Sequence, residues 1–174
     1  GHALAAIASI MSRDFNLPVV DVLVTVYPSK ASYESGAIAE GLRQRERLQQ
    51  RGIKVLSEEE YIQSWKTLAV SSPAIGGYRN VHLENSRIST YRWDAWVKLL
   101  AHELTHSAQS ELVRGGPSSS DRWLREGFAE WVGFKVADKF GAENFAEARQ
   151  RVLDRIANAR SYQTFPSLNQ LVTA

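Results

Sequence analysis

The pentapeptide His102-Glu103-Leu104-Thr105-His106 constrains this chain most, because it lies inside a stretch whose apolar spacing already demands a helix. From about Arg92 to Leu112, residues Val97, Leu100, Ala101, Leu104 and Ala108 recur at intervals of three and four and form one stripe. On such a helix His102 and His106 lie about 40° apart, one turn along the axis, so both imidazoles can reach one cation. The stripe through Leu100 and Leu104 is about 200° round from His102, so burying it turns the histidines toward a groove. Glu103, on the adjacent flank, can polarise a water at a further metal position without being a ligand itself. The chain holds 4 histidines in 174 residues. An H-E-x-x-H match then arises by chance with a probability of roughly 0.007, so a second feature is needed.

That feature is the string Trp123 to Trp131, WLREGFAEW, in which Glu126 and Glu130 are one turn apart. Asp121 caps the helix expected there, and Gly141 stops it after Phe140. A hydrolytic zinc site wants three protein ligands and an open position, and two histidines with one carboxylate are such a set. A reversal through Gly115 to Ser120 lets this helix pack back on the first, bringing Glu126 to the histidines. Glu130 is then placed to accept the free N–H of a ligand histidine. The chain has no cysteine, which excludes disulfides, thiolate metal sites and cysteine nucleophiles together.

HELTH followed by WLREGFAEW resembles the gluzincin group of zinc metallopeptidases, the class of thermolysin and aminopeptidase N. The aminopeptidase N pattern is HExxH-x18-E within W-L-x-E-G-F-A; here 19 residues intervene, a difference of one loop residue. The resemblance spans about Trp93 to Phe140. It implies one zinc ion held by His102, His106 and Glu126, Glu103 as general base, and hydrolysis of a peptide or protein substrate. Upstream, Gly76-Gly77-Tyr78-Arg79-Asn80 is similar to the G-x-M-E-N edge-strand motif of that aminopeptidase family. In the family the glutamate grips a free amino terminus, whereas Arg79 would repel it and favour a carboxylate. An endopeptidase is therefore expected over an aminopeptidase, with backbone near Gly77 and the side chain of Arg79 as substrate-binding groups. Tyr162, Tyr91, Tyr78 and His82 are the oxyanion-stabilising candidates by residue type, with His82 read foremost as a hydrogen-bonded structural residue.

Around these motifs the periodicities give helices at Ala3 to Arg13, Ser32 to Gln50, Glu58 to Ala69 and Glu143 to Arg160, and a further helix starting at Pro166. Buried β character runs from Val19 to Tyr27. Short strands are expected at Ile53 to Leu56 and at Tyr78 to Leu83, the latter as an edge, with SSPAIGG as loop. The expected fold is α+β in a single domain, 1–174. A lobe with a small mixed sheet and the HELTH helix (1–113) precedes a mostly helical lobe (114–174) carrying Glu126, with the cleft between. Trp93, Trp96, Trp123 and Trp131 are assigned to packing between the helices.

A net charge of +2 is too small to imply nucleic acid. The clusters Arg43, Arg45, Arg47, Arg51 and Arg149, Arg151, Arg155, Arg160 are interleaved with acids and read as solvated helix faces. No apolar run reaches the ~18–20 residues that span a bilayer, and the opening ALAAIASIM lacks the charge order of a secretory leader. Absence of cysteine permits either compartment, and the resemblance favours an extracytoplasmic one. Two alternatives accompany the peptidase reading: a catalytically silent or latent, metal-stabilised peptide-binding module, and a truncated peptidase fragment.

Overall fold

The computed structural model of the chain describes residues 2–18, 20–116 and 120–160. Its elements are α1 (His2–Phe15), β1 (Leu23–Tyr27), α2 (Lys30–Gln50), α3 (Glu58–Ser71), β2 (Ala74–Gly77), β3 (Asn80–Glu84), α4 (Asn85–Ile88), α5 (Trp93–Leu112), α6 (Arg122–Lys139) and α7 (Phe145–Arg160). The protein is α+β, with a small mixed sheet and a helical C-terminal part. The strand order is β1-β3-β2. β1 runs parallel to β3 with Val24 opposite Val81, and β2 runs antiparallel with Ala74 opposite Leu83.

Alternation along the strands divides the core in two. Val81 and Leu83 of β3 join Ile7, Met11, Val97, Ala101, Leu104 and Val132 on the α1, α5 and α6 side. Ile75 of β2 turns the other way, to Tyr33 and Ala37 of α2 and Ala69 of α3. The sheet is thus covered on both faces, and β2 is held against α5, the helix carrying HELTH. Ser57 accepts the Glu60 backbone N–H while Glu60 accepts that of Ser57 at 2.8 Å, a reciprocal cap that fixes the start of α3. α2 and α6 are followed by Gly52 (φ 71°) and Gly141 (φ 64°), left-handed positions where glycine ends a helix at least cost.

Several expectations change. Residues 53–56 form no strand, because their polar backbone is used by α2: Ile53 N–H donates to Leu48 and the Leu56 carbonyl accepts from Arg45. SSPAIGG is not all loop, since Ala74–Gly77 pairs with β3 and is the edge strand. The strand expected at Tyr78 begins at Asn80, with Tyr78 and Arg79 forming the turn, and it is central. β1 starts only at Leu23 and is an edge with Leu23 and Val26 exposed; Val19 lies outside the described residues.

The tryptophans are less buried than expected. Trp96 is partly buried, and Trp131 and Trp93, though largely exposed, set their rings edge-on against Phe15 and Phe140, whereas Trp123 is exposed in the first turn of α6. The first arginine cluster is not merely a solvated face. Arg43 and Arg47 bind the buried carboxylate of Glu40 at 2.9 Å each, and Asn80 Nδ2 donates to it at 3.3 Å. No helix among the described residues is long and apolar enough to cross a membrane.

Candidate metal centre

α5 runs between β2 and α6, and its side chains are buried on most sides. His102 and His106 are the partial exception, opening with 19% and 17% of their side chains exposed into a groove of about 600 Å³. α2, α3 and β2 line one side of this groove and the first turns of α6 the other. Gly133 of α6 has its α-carbon close to the Lys98 carbonyl of α5, so the helices approach nearly in contact and Glu126 reaches the histidines.

Three ligand-type atoms converge there. His102 Nε2 and His106 Nε2 are 3.1 Å apart, and Glu126 Oε2 lies 3.5 Å from the first and 3.2 Å from the second. Ligands about 2.0–2.1 Å from one tetrahedral ion are separated by about 3.3 Å, so this triangle has the dimensions of one zinc coordination face. No other group among the described residues has this density of histidine and carboxylate atoms.

Hydrogen bonding behind the rings fixes which nitrogen faces the groove. Glu130 Oε2 is 3.2 Å from His102 Nδ1, and the ionised carboxylate can only accept, so Nδ1 carries the hydrogen. On His106 the same part is played by Gln109, a residue that the sequence analysis did not single out. Gln109 Nε2 donates to the Arg125 carbonyl at 3.1 Å, which turns its Oε1 to His106 Nδ1 at 3.0 Å. Both Nε2 atoms therefore present lone pairs to each other and to a carboxylate oxygen, an arrangement that repels itself unless a cation or proton lies among the three. The donor set of two imidazoles and one carboxylate fits zinc.

The charges follow from these contacts. Burial works against charge on His102, but its bonds to Glu126 and Glu130 and the nearby Glu103 raise it to about 9. Bonds from His102 and His106 hold Glu126 far below the ordinary carboxylate range, and the His102 bond, with Lys98 close by, lowers Glu130 as well. Glu103 is raised by burial, against the pull of both histidines and a backbone N–H bond from Gly76. Without metal a proton on His102 thus neutralises the triangle at pH 7, and a metal must displace it. Zinc uptake at pH 7 is expected to release about one proton. Calorimetric titration in buffers of different ionisation enthalpy measures this, and a heat independent of buffer would contradict it.

Glu103 is 5% exposed and sits where β2 meets α5. A β-carbon on Gly76 would run into the Glu103 backbone carbonyl and come within 3.0 Å of its Oε2. Only glycine lets the strand lie this close to the general-base candidate. Gly76→Ala is expected to destabilise the fold by about 1–3 kcal/mol through overpacking, read from a denaturant midpoint with unchanged m value.

The remaining candidates separate. Gly77 and Tyr78 line the groove, and Tyr78 lies under the guanidinium groups of Arg47 and Arg79 at 5.6 and 5.3 Å. Arg79 does not line it: at φ 60° in the turn, its guanidinium is clamped by both Glu111 carboxylate oxygens at 2.9 and 3.0 Å. His82 is buried in β3, with Tyr27 Oη 2.9 Å from its Nδ1, and Tyr91 also lies off the groove. Tyr162 and Pro166 are outside the described residues. Comparison of the chain with protein-family profiles, with curated proteins and with solved structures returned no match.

Proposed function

We propose that this chain is a zinc-dependent peptide hydrolase of the gluzincin type that acts as an endopeptidase. The observation that carries the reading is the triangle of His102 Nε2, His106 Nε2 and Glu126 Oε2, with edges of 3.1, 3.5 and 3.2 Å and the buried Glu103 beside it. Zinc, when bound, supplies a Lewis acid that polarises a carbonyl and makes water acidic enough to react near neutral pH.

The chain's own residues supply the rest. Glu130 and Gln109 hold the imidazoles by their Nδ1 atoms, so Nε2 of each is the nitrogen left for a metal and is aimed at one point. Glu103, raised by burial, is suited to take a proton from the attacking water on its carboxylate and to pass it to the departing amine. The Gly76 N–H steadies that carboxylate, and the short edge strand β2 beside it offers backbone to an extended substrate. Tyr78 lines the groove and is the candidate donor to the developing oxyanion.

An endopeptidase is favoured because, among the described residues, the groove offers no free acid for an amino terminus. Glu40 is neutralised by Arg43 and Arg47, and Arg79 stands where the aminopeptidase motif has its glutamate. The test is mass-spectrometric mapping of cuts in a diverse peptide mixture by chelator-treated and zinc-restored protein. Internal cuts that depend on zinc are the expected result. One bound zinc without cuts would replace hydrolysis by the peptide-binding alternative, and absence of zinc binding would overturn both.

A further inference from the structure

The groove's charge is one-sided once the metal centre is accounted for. Besides that centre, its charged lining consists of Glu40, Arg47, Arg122 and Arg125. Glu40 has both oxygens committed, to Arg43, Arg47 and Asn80. A divalent ion held by the triangle would balance Glu103 and Glu126. Among the described residues the lining therefore keeps no uncommitted carboxylate, and Arg122 and Arg125 are the two lining arginines that Glu40 does not engage.

Two of these arginines stand where local rules disfavour them. α6 opens with Arg122 and has Arg125 within its first four residues, at the end where the helix dipole repels cations, and no acid occupies that first turn. Asp121 at the N-cap makes no side-chain bond to the helix, whereas α3 opens with Glu58, Glu59 and Glu60. Local conflicts of this kind collect at functional surfaces. Arg122 is 67% exposed and its ion-pair contact is long, 4.0 Å from Nε to Glu126 Oε1, the carboxylate oxygen that is not part of the triangle. Arg125 donates one N–H to the Ser120 carbonyl at 3.3 Å.

We infer that the groove selects acidic peptide segments and that Arg122, supported by Arg125, receives an aspartate or glutamate side chain next to the bond at the metal centre. The inference rests on the peptidase reading above and names its substrate class. It moves the carboxylate preference from Arg79, which Glu111 already neutralises, to the opposite wall of the groove.

The test is equilibrium binding, so that its outcome is independent of turnover. Fluorescein-labelled decapeptides identical except for central Asp or Glu, Asn or Gln, or Lys are titrated with zinc-loaded protein bearing Glu103→Gln. Acidic peptides are expected to bind about tenfold tighter than their amides, the size of one charge-assisted contact. Adding Arg122→Ala should cut that ratio to roughly threefold or less, and Arg122→Glu should abolish it. Arg79→Ala, which removes the same formal charge outside the groove, should leave the ratio unchanged. Equal affinity for acid and amide peptides, no binding of any peptide, or an equal loss in Arg79→Ala would each overturn the assignment. The peptidase reading fails separately, through absent zinc binding or absent Glu103-dependent cleavage. Acid-selective binding by a protein that cuts nothing would refute hydrolysis and leave the groove's selectivity standing.

Discussion

Glu103→Gln is expected to lower peptide hydrolysis by roughly 10²–10⁴-fold, the range lost when a positioned general base is removed. Zinc should still bind at one equivalent. The amide has nearly the shape of the carboxylate, can still accept from the Gly76 N–H, and contributes no atom to the triangle of His102, His106 and Glu126. What it cannot do is take a proton. Glu103 is 5% exposed, so bulk solvent is poorly placed to substitute for it. Steady-state cleavage of a fluorogenic peptide, with metal content read by plasma emission on the same sample, gives both quantities. Turnover unchanged in a zinc-replete variant would remove Glu103 from the mechanism.

Glu126→Ala is the complementary case, in which metal affinity should fall by about 10²–10³-fold, the share of one ligand in a typical zinc-binding free energy. Loss of Oε2 leaves only the two imidazole nitrogens, 3.1 Å apart. The fold should survive, because Glu126 has 47% of its side chain exposed and packs nothing in the main core. His102 would also lose one of the two bonds that raise it, so its proton would compete less well with the metal and recover a small part of the affinity. Competition against a chromophoric zinc chelator measures the change, and circular dichroism checks the fold. An affinity equal to that of the unaltered chain would show that the metal, if any, is held elsewhere.

These two variants separate the roles that the sequence could only juxtapose. The one-turn spacings of His102 with His106 and of Glu126 with Glu130 are properties of the chain itself, because a helix repeats every 3.6 residues wherever it is placed. The α5 stripe and the glycine stop of α6 were legible for the same reason, as was the Ser57 cap of α3. Short strands were harder. Ala74–Gly77 has a loop's composition and became a strand because β3 supplied its partner, while residues 53–56 have a strand's composition and found none.

The sequence by itself determined the α+β class, the helical placement of the two motifs, and the choice of nitrogen and oxygen chemistry in a chain without cysteine. Tertiary structure alone decided how far apart the ligand atoms stand, which imidazole nitrogens face the groove through Glu130 and Gln109, and that Gly76 lies against Glu103. It also decided that Glu111 closes Arg79 while Arg122 stays open beside Glu126. The physical reason is range. Periodicity and capping act within a few residues and can be read along the chain, whereas ion pairs, tautomers and close backbone approach join residues dozens of positions apart and exist only once the elements have packed.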